Sequence, residues 1–263
     1  MEPHRHKKQL GQHFLHDPGM IDRIVRAIDP QPGDTLVEIG PGAGAITRPL
    51  LQRHGALRVI EFDRDLIGPL QALGAQLGTL DIVHADVLEV DFTALAAGTP
   101  IRLVGNLPYN ISSPILFHAM DHAAAIRDMH FMLQKEVVDR MAAAPGSKVY
   151  GRLSVMLQAG CRVTPLFRVP PGAFRPPPKV DSAVVRLVPK PREEVGIDDP
   201  ALFARVVKAA FAQRRKTLRN ALDDVCDVDT LHRAGISPGA RAEAVAPADY
   251  ITLANLLARQ RQA

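Results

Sequence analysis

The chain has few cysteines and no long apolar run, and each shortage excludes a class of protein. Cys161 and Cys226 are the only cysteines, so a disulfide framework is excluded, and no Cys/His cluster has zinc-site spacing. We therefore expect no metal. No apolar run reaches the roughly 18 residues that a membrane-spanning helix requires. The amino-terminal stretch MEPHRHKK is polar and basic without an apolar segment behind it, so we expect a cytoplasmic protein without a membrane partner.

Positive charge is in modest excess and is concentrated near the carboxyl end. The chain has 32 Lys and Arg against 28 Asp and Glu, a net charge of +4. The segment 201–263 alone has ten basic and six acidic residues. Its basic residues are Arg205, Lys208, Arg214, Arg215, Lys216, Arg219, Arg233, Arg241, Arg259 and Arg261. This distribution is typical either of a module that binds a polyanion such as nucleic acid, or of an ordinary solvated face.

Short Val- and Ile-rich runs alternate with helical patterns over the first two thirds of the chain. This alternation predicts parallel β/α units and an α/β fold. The predicted strands are 35–39, 57–61, 81–84, 101–105 and 129–134, and the predicted helices are 45–54, 65–77, 113–120 and 136–144. Two further β-rich segments, 162–169 and 182–188, predict an antiparallel hairpin that closes the sheet.

The pattern changes after residue 188. A polar linker, PKPREE, follows, and the later segments 202–211, 216–225, 230–234 and 250–259 predict helices only. We therefore predict two domains, an α/β domain over 1–190 and a small all-helical domain over 191–263.

A glycine-rich segment, EIGPGAG at 38–44, follows the first strand and opens the next helix. Glycine allows a ligand to approach the backbone closely near the positive end of a helix, which makes Gly40 a candidate cofactor contact. Pro41 departs from the dinucleotide pattern GxGxxG, and Thr47 stands where its last glycine would fall, which argues against NAD. A glycine-rich turn without a ligand is the alternative.

Two acidic residues follow the next two strands. Glu61 ends the second strand, where a carboxylate can bind both ribose hydroxyls of a nucleoside. Asp86 follows the third strand, where a carboxylate can accept a hydrogen bond from an adenine amino group. Either acid alone is more often a solvated strand end, but with the glycine loop they predict a nucleoside site at one edge of the sheet. Asp63 and Asp65 are interpreted as turn and cap residues.

The segment Asn106-Leu107-Pro108-Tyr109 lies at the end of the fourth predicted strand, beside this edge. The Asn106 side-chain oxygen and the Leu107 carbonyl can accept the two protons of an adenine N6 amine and free its lone pair. Pro108 stiffens the loop, and Tyr109 offers a face on which a base can stack. We assign these four residues to catalysis of methyl transfer to an amine, with an ordinary turn as the alternative.

A proline-dense segment, FRPPPKV at 174–180, supplies a further candidate. Its prolines predict a rigid extended loop, and Phe174 is predicted to cover the face of a flipped base opposite Tyr109. A polyproline surface for a partner, or a stiff connection within the hairpin, are the alternatives.

With these motifs the sequence resembles the ribosomal RNA adenine dimethylase family, and within it the bacterial members that act on the small subunit. The shared motifs are QLGQHFL at 9–15, EIGPGAG at 38–44, GNLPYNIS at 105–112, FMLQKEV at 131–137, YGRLS at 150–154 and the segment 174–182. The resemblance implies a class I methyltransferase fold, Rossmann-like, with a seven-stranded sheet and S-adenosyl-L-methionine as the methyl donor. It implies donor contacts from His13, Leu15, Gly40, Glu61, Asp86 and Asn106.

The resemblance also implies a substrate. Members dimethylate N6 of two adjacent adenosines in a hairpin loop near the 3′ end of 16S rRNA, late in small-subunit assembly. The partner would be the immature small subunit, docked in part by the helical domain, and we expect a monomer. His13 stands where the family usually has Asn, and we expect its contact to be made through the backbone. Alternatives are a large-subunit rRNA dimethylase, a DNA adenine methyltransferase, and an assembly checkpoint factor whose binding role is primary.

Overall fold

The computed structural model describes residues 13–213 and 215–262. The basic amino-terminal stretch, the first four residues of the 9–15 motif and Arg214 lie outside these ranges. The chain folds into two compact units, the first running through Val138 and adding Thr164–Pro189. The second unit consists of Asp139–Val163 and Lys190–Ala263. The predicted boundary near residue 190 therefore coincides with one change of unit, but 139–163, which we predicted in the first domain, groups with the second unit.

The strands of the described chain form one large sheet and one small one. They are β1 (Phe14–Leu15), β2 (Thr35–Ile39), β3 (Ala56–Glu61), β4 (Thr79–His84), β5 (Ile101–Asn106), β6 (Ile126–Gln134), β7 (Cys161–Val169), β8 (Phe174–Arg175) and β9 (Ser182–Pro189). The large sheet has seven strands in the order β4-β3-β2-β5-β6-β9-β7. The neighbours from β4 to β6 are parallel, and β9 is antiparallel to β6. The predicted α/β fold with a seven-stranded sheet is confirmed.

Most helices of the described chain begin where the sequence predicts, often at an aspartate. They are α1 (Pro18–Ile28), α2 (Thr47–His54), α3 (Arg64–Leu77), α4 (Phe92–Ala96), α5 (Ser112–Asp121), α6 (Lys135–Met141), α7 (Arg152–Gly160), α8 (Arg192–Val195), α9 (Pro200–Ala212), α10 (Leu218–Ala221), α11 (Val228–Arg233) and α12 (Pro247–Gln262). Asp17, Asp63, Asp199 and Asp227 each accept a hydrogen bond from a first-turn amide of α1, α3, α9 and α11 respectively. Such caps satisfy amides that have no partner inside the helix. Helices α1, α4, α7 and α8 were not predicted.

The chain first adds strands on one side of β2 and then on the other side, and the candidate site lies where this change occurs, between β2 and β5. From β2 the chain adds β3 and β4 on one side, then returns to add β5 on the other. The two strands approach closely at Gly105, where a Cβ atom would lie 2.5 Å from the Ile39 carbonyl oxygen. In open α/β sheets, ligands bind in the crevice at such a reversal, outside the carboxyl ends of the strands.

At the opposite, amino-terminal end of these strands lies a buried ion network. Arg102 on β5 donates to Asp34 (Nη1–Oδ2, 2.7 Å) and to Asp128 on β6 (Nε–Oδ1, 2.8 Å), and all three side chains are at most 5% exposed. It also donates to the Ile28 carbonyl at the end of α1. Paired in this way, the buried charges connect α1, β5 and β6 without leaving an uncompensated ion.

The second unit has a helical core of its own. Its largest buried side chain is Tyr250, whose hydroxyl donates to the Ala242 carbonyl at 2.9 Å. Tyr150 in the segment 139–163 likewise donates to the Val245 carbonyl at 2.9 Å, which explains why that segment belongs to this unit. Within the described ranges no helix is both long and apolar enough to traverse a lipid bilayer.

Candidate active site

The first unit has a cleft of about 270 Å³ at the carboxyl ends of its strands. Gly40 follows β2, Glu61 ends β3, Asp86 follows β4 and Asn106 ends β5, and all four line the cleft. His13 and Leu15 from the amino-terminal segment line it as well. The structure thus brings together the six residues that the sequence suggested for donor binding, although their contacts with a donor stay a prediction.

The glycine loop and Glu61 form one hydrogen-bonded unit. Gly40 has φ of +64°, a conformation that a residue with a side chain rarely adopts, and its amide donates to the Ile60 carbonyl at 2.9 Å. Glu61 accepts from the amides of Gly42 (3.3 Å) and Asp63 (2.7 Å). Burial raises the pKa of Glu61, and these amides oppose the shift. The carboxylate therefore sets the shape of the loop and still has lone pairs for the hydroxyls of a ligand.

Glu38 is a second carboxyl group under the loop that we did not single out from the sequence. Its side chain is 1% exposed, and Thr47 Oγ1 donates to its Oε2 at 2.7 Å. Burial raises its pKa to about 8, and the charge of Glu61 adds to the shift. A buried acid of this kind is stabilised in its ionised form by a cation placed beside it.

The cleft is lined by acidic side chains, whose negative charge favours a cationic ligand. Among the described residues the lining includes the carboxyl groups of Glu38, Glu61, Asp63 and Asp86 and no Lys or Arg. A pyrophosphate would be repelled here, which supports the exclusion of NAD drawn from the glycine pattern. S-adenosylmethionine carries a sulfonium and an ammonium group and no phosphate, so the lining fits it. Asp86 accepts from the Leu88 amide through Oδ1 (2.9 Å), which orients the carboxylate at the strand end.

The segment 106–109 presents two acceptors in the same cleft. The Asn106 amide nitrogen donates to the His13 carbonyl at 3.1 Å, which orients the side chain and leaves its Oδ1 without a hydrogen bond among the described residues. Leu107 is buried, and its amide donates to the Met132 carbonyl at 3.1 Å. Its own carbonyl accepts no hydrogen bond from the described chain. Two carbonyl-type oxygens of adjacent residues therefore accept no hydrogen bond within the described ranges.

Tyr109 is held in place at the cleft, and Pro108 lies in its lining. The Tyr109 hydroxyl shares a hydrogen bond of 2.6 Å with Ser182 Oγ, the first residue of β9. Burial raises the pKa of Tyr109. Its ring is stacked on the ring of His13, with centroids 5.5 Å apart and 30° between the planes.

Phe174 does not lie where we predicted it. Its side chain is 1% exposed and packs in the hydrophobic core of the first unit, outside the cleft lining. It belongs to β8, which pairs with β1 and places Phe174 opposite Leu15. The ring has no exposed face in this arrangement, and the base-covering role of Phe174 stays a prediction. Phe174 instead anchors the β1 segment that carries His13 and Phe14.

Two aromatic residues in the lining were missed because nothing in their sequence context marks them. Phe62 follows Glu61 and is 62% exposed at the cleft, an unusual exposure for so large an apolar side chain. Phe14 lies against the glycine loop, where a Cβ atom on Gly42 would be 3.1 Å from the Phe14 ring. Both provide apolar surface for the flat part of a ligand.

Known proteins resemble the chain over nearly its full length. The sequence profile of the ribosomal RNA adenine dimethylase family matches residues 3–259. Ribosomal RNA small subunit methyltransferase A of Xanthomonas campestris pv. campestris (strain B100) is 72% identical over 250 residues, 95% of each chain. The protein of the same name from Xanthomonas oryzae pv. oryzae (strain PXO99A) is 71% identical over the same shares.

Solved structures agree with this similarity. A dimethyladenosine transferase from Plasmodium falciparum has a TM-score of 0.80 at 25% identity, covering 95% of this chain and 98% of its own. The 23S rRNA methyltransferase ErmE has a TM-score of 0.72 at 25% identity, covering 93% and 99%. The class I methyltransferase fold implied by the sequence motifs is confirmed. With the family profile spanning almost all residues and relatives above 70% identity, the chain belongs to the ribosomal RNA adenine dimethylase family.

Proposed function

We propose that this methyltransferase uses S-adenosyl-L-methionine to dimethylate N6 of two adjacent adenosines in a hairpin loop near the 3′ end of 16S rRNA. The observation that carries the proposal is the pair of available acceptors, Asn106 Oδ1 and the Leu107 carbonyl, beside an acidic cleft. The small-subunit names of the relatives above 70% identity support the choice of rRNA.

Asn106 and Leu107 would promote methyl transfer mainly by positioning the adenine N6 amine. The lone pair of an adenine N6 is delocalised into the ring, which makes the amine a poor nucleophile. Two acceptors aimed at its protons draw the nitrogen toward a tetrahedral arrangement and release that lone pair. The bound donor supplies an activated methyl group whose carbon–sulfur bond breaks as the nitrogen–carbon bond forms. The proton that N6 then carries is acidic and leaves to water, so no strong general base is required.

Donor binding falls to the remaining residues of the cleft. Gly40 and the main chain of His13 and Leu15 would contact the methionine part, Glu61 the ribose and Asp86 the adenine. Glu38 would face the positive charges of the donor from below the loop. A cation held beside a buried carboxylate is stabilised strongly because little water screens the pair.

The second unit would dock the enzyme on the immature subunit. Arg215, Lys216, Arg219 and Arg241 are exposed and have no ion-pair partner within the described ranges. The Thr217–Arg241 bridge and the bond from the Leu218 amide to the Ala240 carbonyl (2.8 Å) bring the two basic segments together. Such a cluster fits the phosphates of RNA, and we propose that a single monomer binds there.

The direct test is incubation of undermethylated small subunits with labelled donor, followed by mapping of the modified nucleotides. We expect N6,N6-dimethyladenosine at two neighbouring positions of 16S rRNA, and none with Asn106→Ala. Asp121→Asn, a carboxylate on α5 outside the cleft, is the matched control and should methylate normally. Label elsewhere in the rRNA would overturn the proposal.

A large-subunit target is the second candidate because the fold matches ErmE closely. Parallel incubation with undermethylated large subunits separates the two, since methylation of 23S rRNA alone would favour the second. The Glu61→Ala variant distinguishes methylation from a primary role in subunit assembly. If that variant binds no donor and still restores subunit assembly in a strain that lacks the enzyme, binding rather than methylation is its main function.

A further inference from the structure

A groove of about 430 Å³ lies between α1 and α2 on the surface of the first unit. Ala45 is the one described residue that lines both this groove and the cleft, so the two are separate concavities. The residues that we assign to methyl transfer and donor binding belong to the cleft, and the groove has no part in the proposed function. Its volume falls in the range of pockets that bury small ligands.

The α1 side of the groove is largely apolar. Pro18, Ile21 and Val25 recur at intervals of three and four residues, which places them on one side of the helix. Pro49 adds a second proline ring from α2. Aliphatic side chains and proline rings form a surface against which the flat ring of a nucleobase can be removed from water.

The α2 side of the groove carries positive charge. Arg48, Gln52 and Arg53 line it and are exposed, and Arg48 and Gln52 lie one helical turn apart. The side chains of both arginines have no ion pair or hydrogen bond within the described ranges. The one carboxylate among the described lining residues, Asp22, is paired with Arg26. The groove therefore favours an anion, whereas the acidic cleft favours a cation.

We propose that this groove binds an unpaired nucleotide of the RNA substrate, with the phosphate on Arg48 and Arg53 and the base on the apolar α1 side. The inference rests on the proposed function and adds a second RNA contact to the unit that contains the cleft.

The chemistry of the lining favours an unpaired strand over a duplex. Duplex RNA presents its phosphates and sugars outward and keeps its bases stacked inside, so it has no base to place on the apolar side. A guanidinium group can donate two parallel hydrogen bonds to a phosphate, and its plane can also stack on a base. Gln52 has a donor and an acceptor for the edge of that base.

The test uses the double variant Arg48→Ala/Arg53→Ala in the full chain. Filter binding over a range of salt concentrations measures its affinity for a short single-stranded RNA of mixed sequence and for duplex RNA of the same length. For the single strand we expect a dissociation constant roughly five- to thirtyfold higher, and a slope of log affinity against log salt that is smaller by about 1.4. For the duplex we expect a change of less than about twofold, because a duplex is too wide to enter the groove.

The matched control, Arg127→Ala/Arg162→Ala, removes the same charge from two arginines that are each 58% exposed and paired with an acid. It should bind the single strand within about twofold of the wild type. Arg48→Lys/Arg53→Lys keeps the charge and should bind within about threefold. Donor affinity, measured by calorimetry, should be unchanged in every variant. If the alanine variant does not bind donor, Arg48→Gln/Arg53→Gln repeats the measurement with longer side chains that favour a helix.

Three results would overturn the inference. Unchanged binding of the single strand would exclude the groove as an RNA site. An equal loss for single strand and duplex would assign the arginines to a general phosphate surface. Weaker binding to undermethylated small subunits with unchanged binding of the single strand would assign the groove to a ribosomal protein. If instead the wild-type chain methylates no small subunits, the proposed function fails, and that failure is distinct because the groove is tested by RNA binding alone.

Discussion

Glu38 has its carboxyl group buried under the glycine loop, with the hydroxyl of Thr47 as its described hydrogen-bond donor. Burial favours the neutral form and raises the pKa from 4.5 to about 8. Between these two values the unfolded chain gives up a proton that the folded chain keeps. Folding stability contributed by this residue is therefore complete below pH 4.5 and declines as the pH rises toward 8.

Glu38→Gln should remove this decline. Without donor, the variant is expected to be more stable than the wild type near pH 8.5 by on the order of 1–3 kcal/mol, and to differ little near pH 5. Urea unfolding at the two pH values measures the difference. The same variant should bind S-adenosylmethionine more weakly, because glutamine cannot ionise beside a cation. Glu89→Gln, which changes an exposed acid, is the control. An equal gain in unfolding free energy near pH 8.5 in this variant would show that the burial of Glu38 is not the cause.

Position 105 requires glycine because there is no room for a side chain, and not because its backbone must be flexible. A Cβ atom there would meet the Ile39 carbonyl oxygen at 2.5 Å, so Gly105→Ala must push β5 away from β2. We expect a loss of about 1–3 kcal/mol in unfolding free energy and a clear loss of donor affinity, because Asn106 moves with the strand. Gly172→Ala, which meets nothing within 4 Å, is the control. Normal donor binding by Gly105→Ala would contradict this account.

Strands and helices of the first unit are joined at their amino-terminal end by the network around Arg102. Arg102→Met leaves Asp34 and Asp128 buried without their main partner, and we expect a loss of about 3–5 kcal/mol in denaturant unfolding. Arg26→Ala breaks an exposed pair with Asp22 on α1 and should leave the unfolding free energy almost unchanged, because solvent screens the pair. Equal costs for the two variants would show that burial of the network is not what matters.

His130 on β6 makes this end of the sheet sensitive to acid. It is 3% exposed, and its Nδ1 has no hydrogen-bond partner among the described residues. Burial lowers its pKa from 6.5 to about 4, opposed by the charge of Asp128. The unfolded chain thus binds a proton that the folded chain rejects between these values. Stability from His130 is complete above pH 6.5 and is lost as the pH falls toward 4.

His130→Gln should flatten this part of the stability curve. We expect the drop in unfolding free energy between about pH 7 and pH 4.5 to shrink by on the order of 1–3 kcal/mol, whatever the variant costs at neutral pH. His16→Gln, exposed on the surface, should leave the drop unchanged. A drop of the same size in His130→Gln would contradict the proposed cause.

The elements that sequence patterns predicted well are those whose pattern is local. The strand Thr35–Ile39 and the glycine loop behind it follow from runs of buried residues and turn signals. The pairing of β1 with β8 could not be predicted, because each has two residues and they are about 160 positions apart in the chain. For the same reason the position of Phe174 was missed, since an aromatic residue before prolines suits a core and a binding surface equally.

In the whole molecule, the cleft and the exposed basic cluster that we propose for docking belong to different units. The cleft lies in the first unit, and the exposed cluster of Arg215, Lys216, Arg219 and Arg241 lies in the second. Charge counts along the chain predicted the second unit as the basic one. They could not predict that 139–163 joins it, because that depends on contacts such as Tyr150 to Val245.

Replacing Arg215, Lys216 and Arg219 together by alanine should weaken binding to undermethylated small subunits and leave donor affinity unchanged. Each lost phosphate contact is expected to reduce the slope of log affinity against log salt concentration by about 0.7–0.9. Filter binding at several salt concentrations measures the slope. Arg259→Ala, whose side chain lies near Asp198 (3.5 Å), is the control. An unchanged slope in the triple variant would exclude this cluster as the docking surface.

The pairing of β1 with β8 has a practical consequence for work with the protein. His13, Phe14 and Leu15 form part of the cleft wall but belong to no strand of the seven-stranded sheet. Because Leu15 also packs in the core of the first unit, a truncation or protease cut that removes these residues is expected to lower both stability and activity. Preparations should be checked for an intact amino terminus by mass spectrometry, and affinity tags are better placed after the final helix.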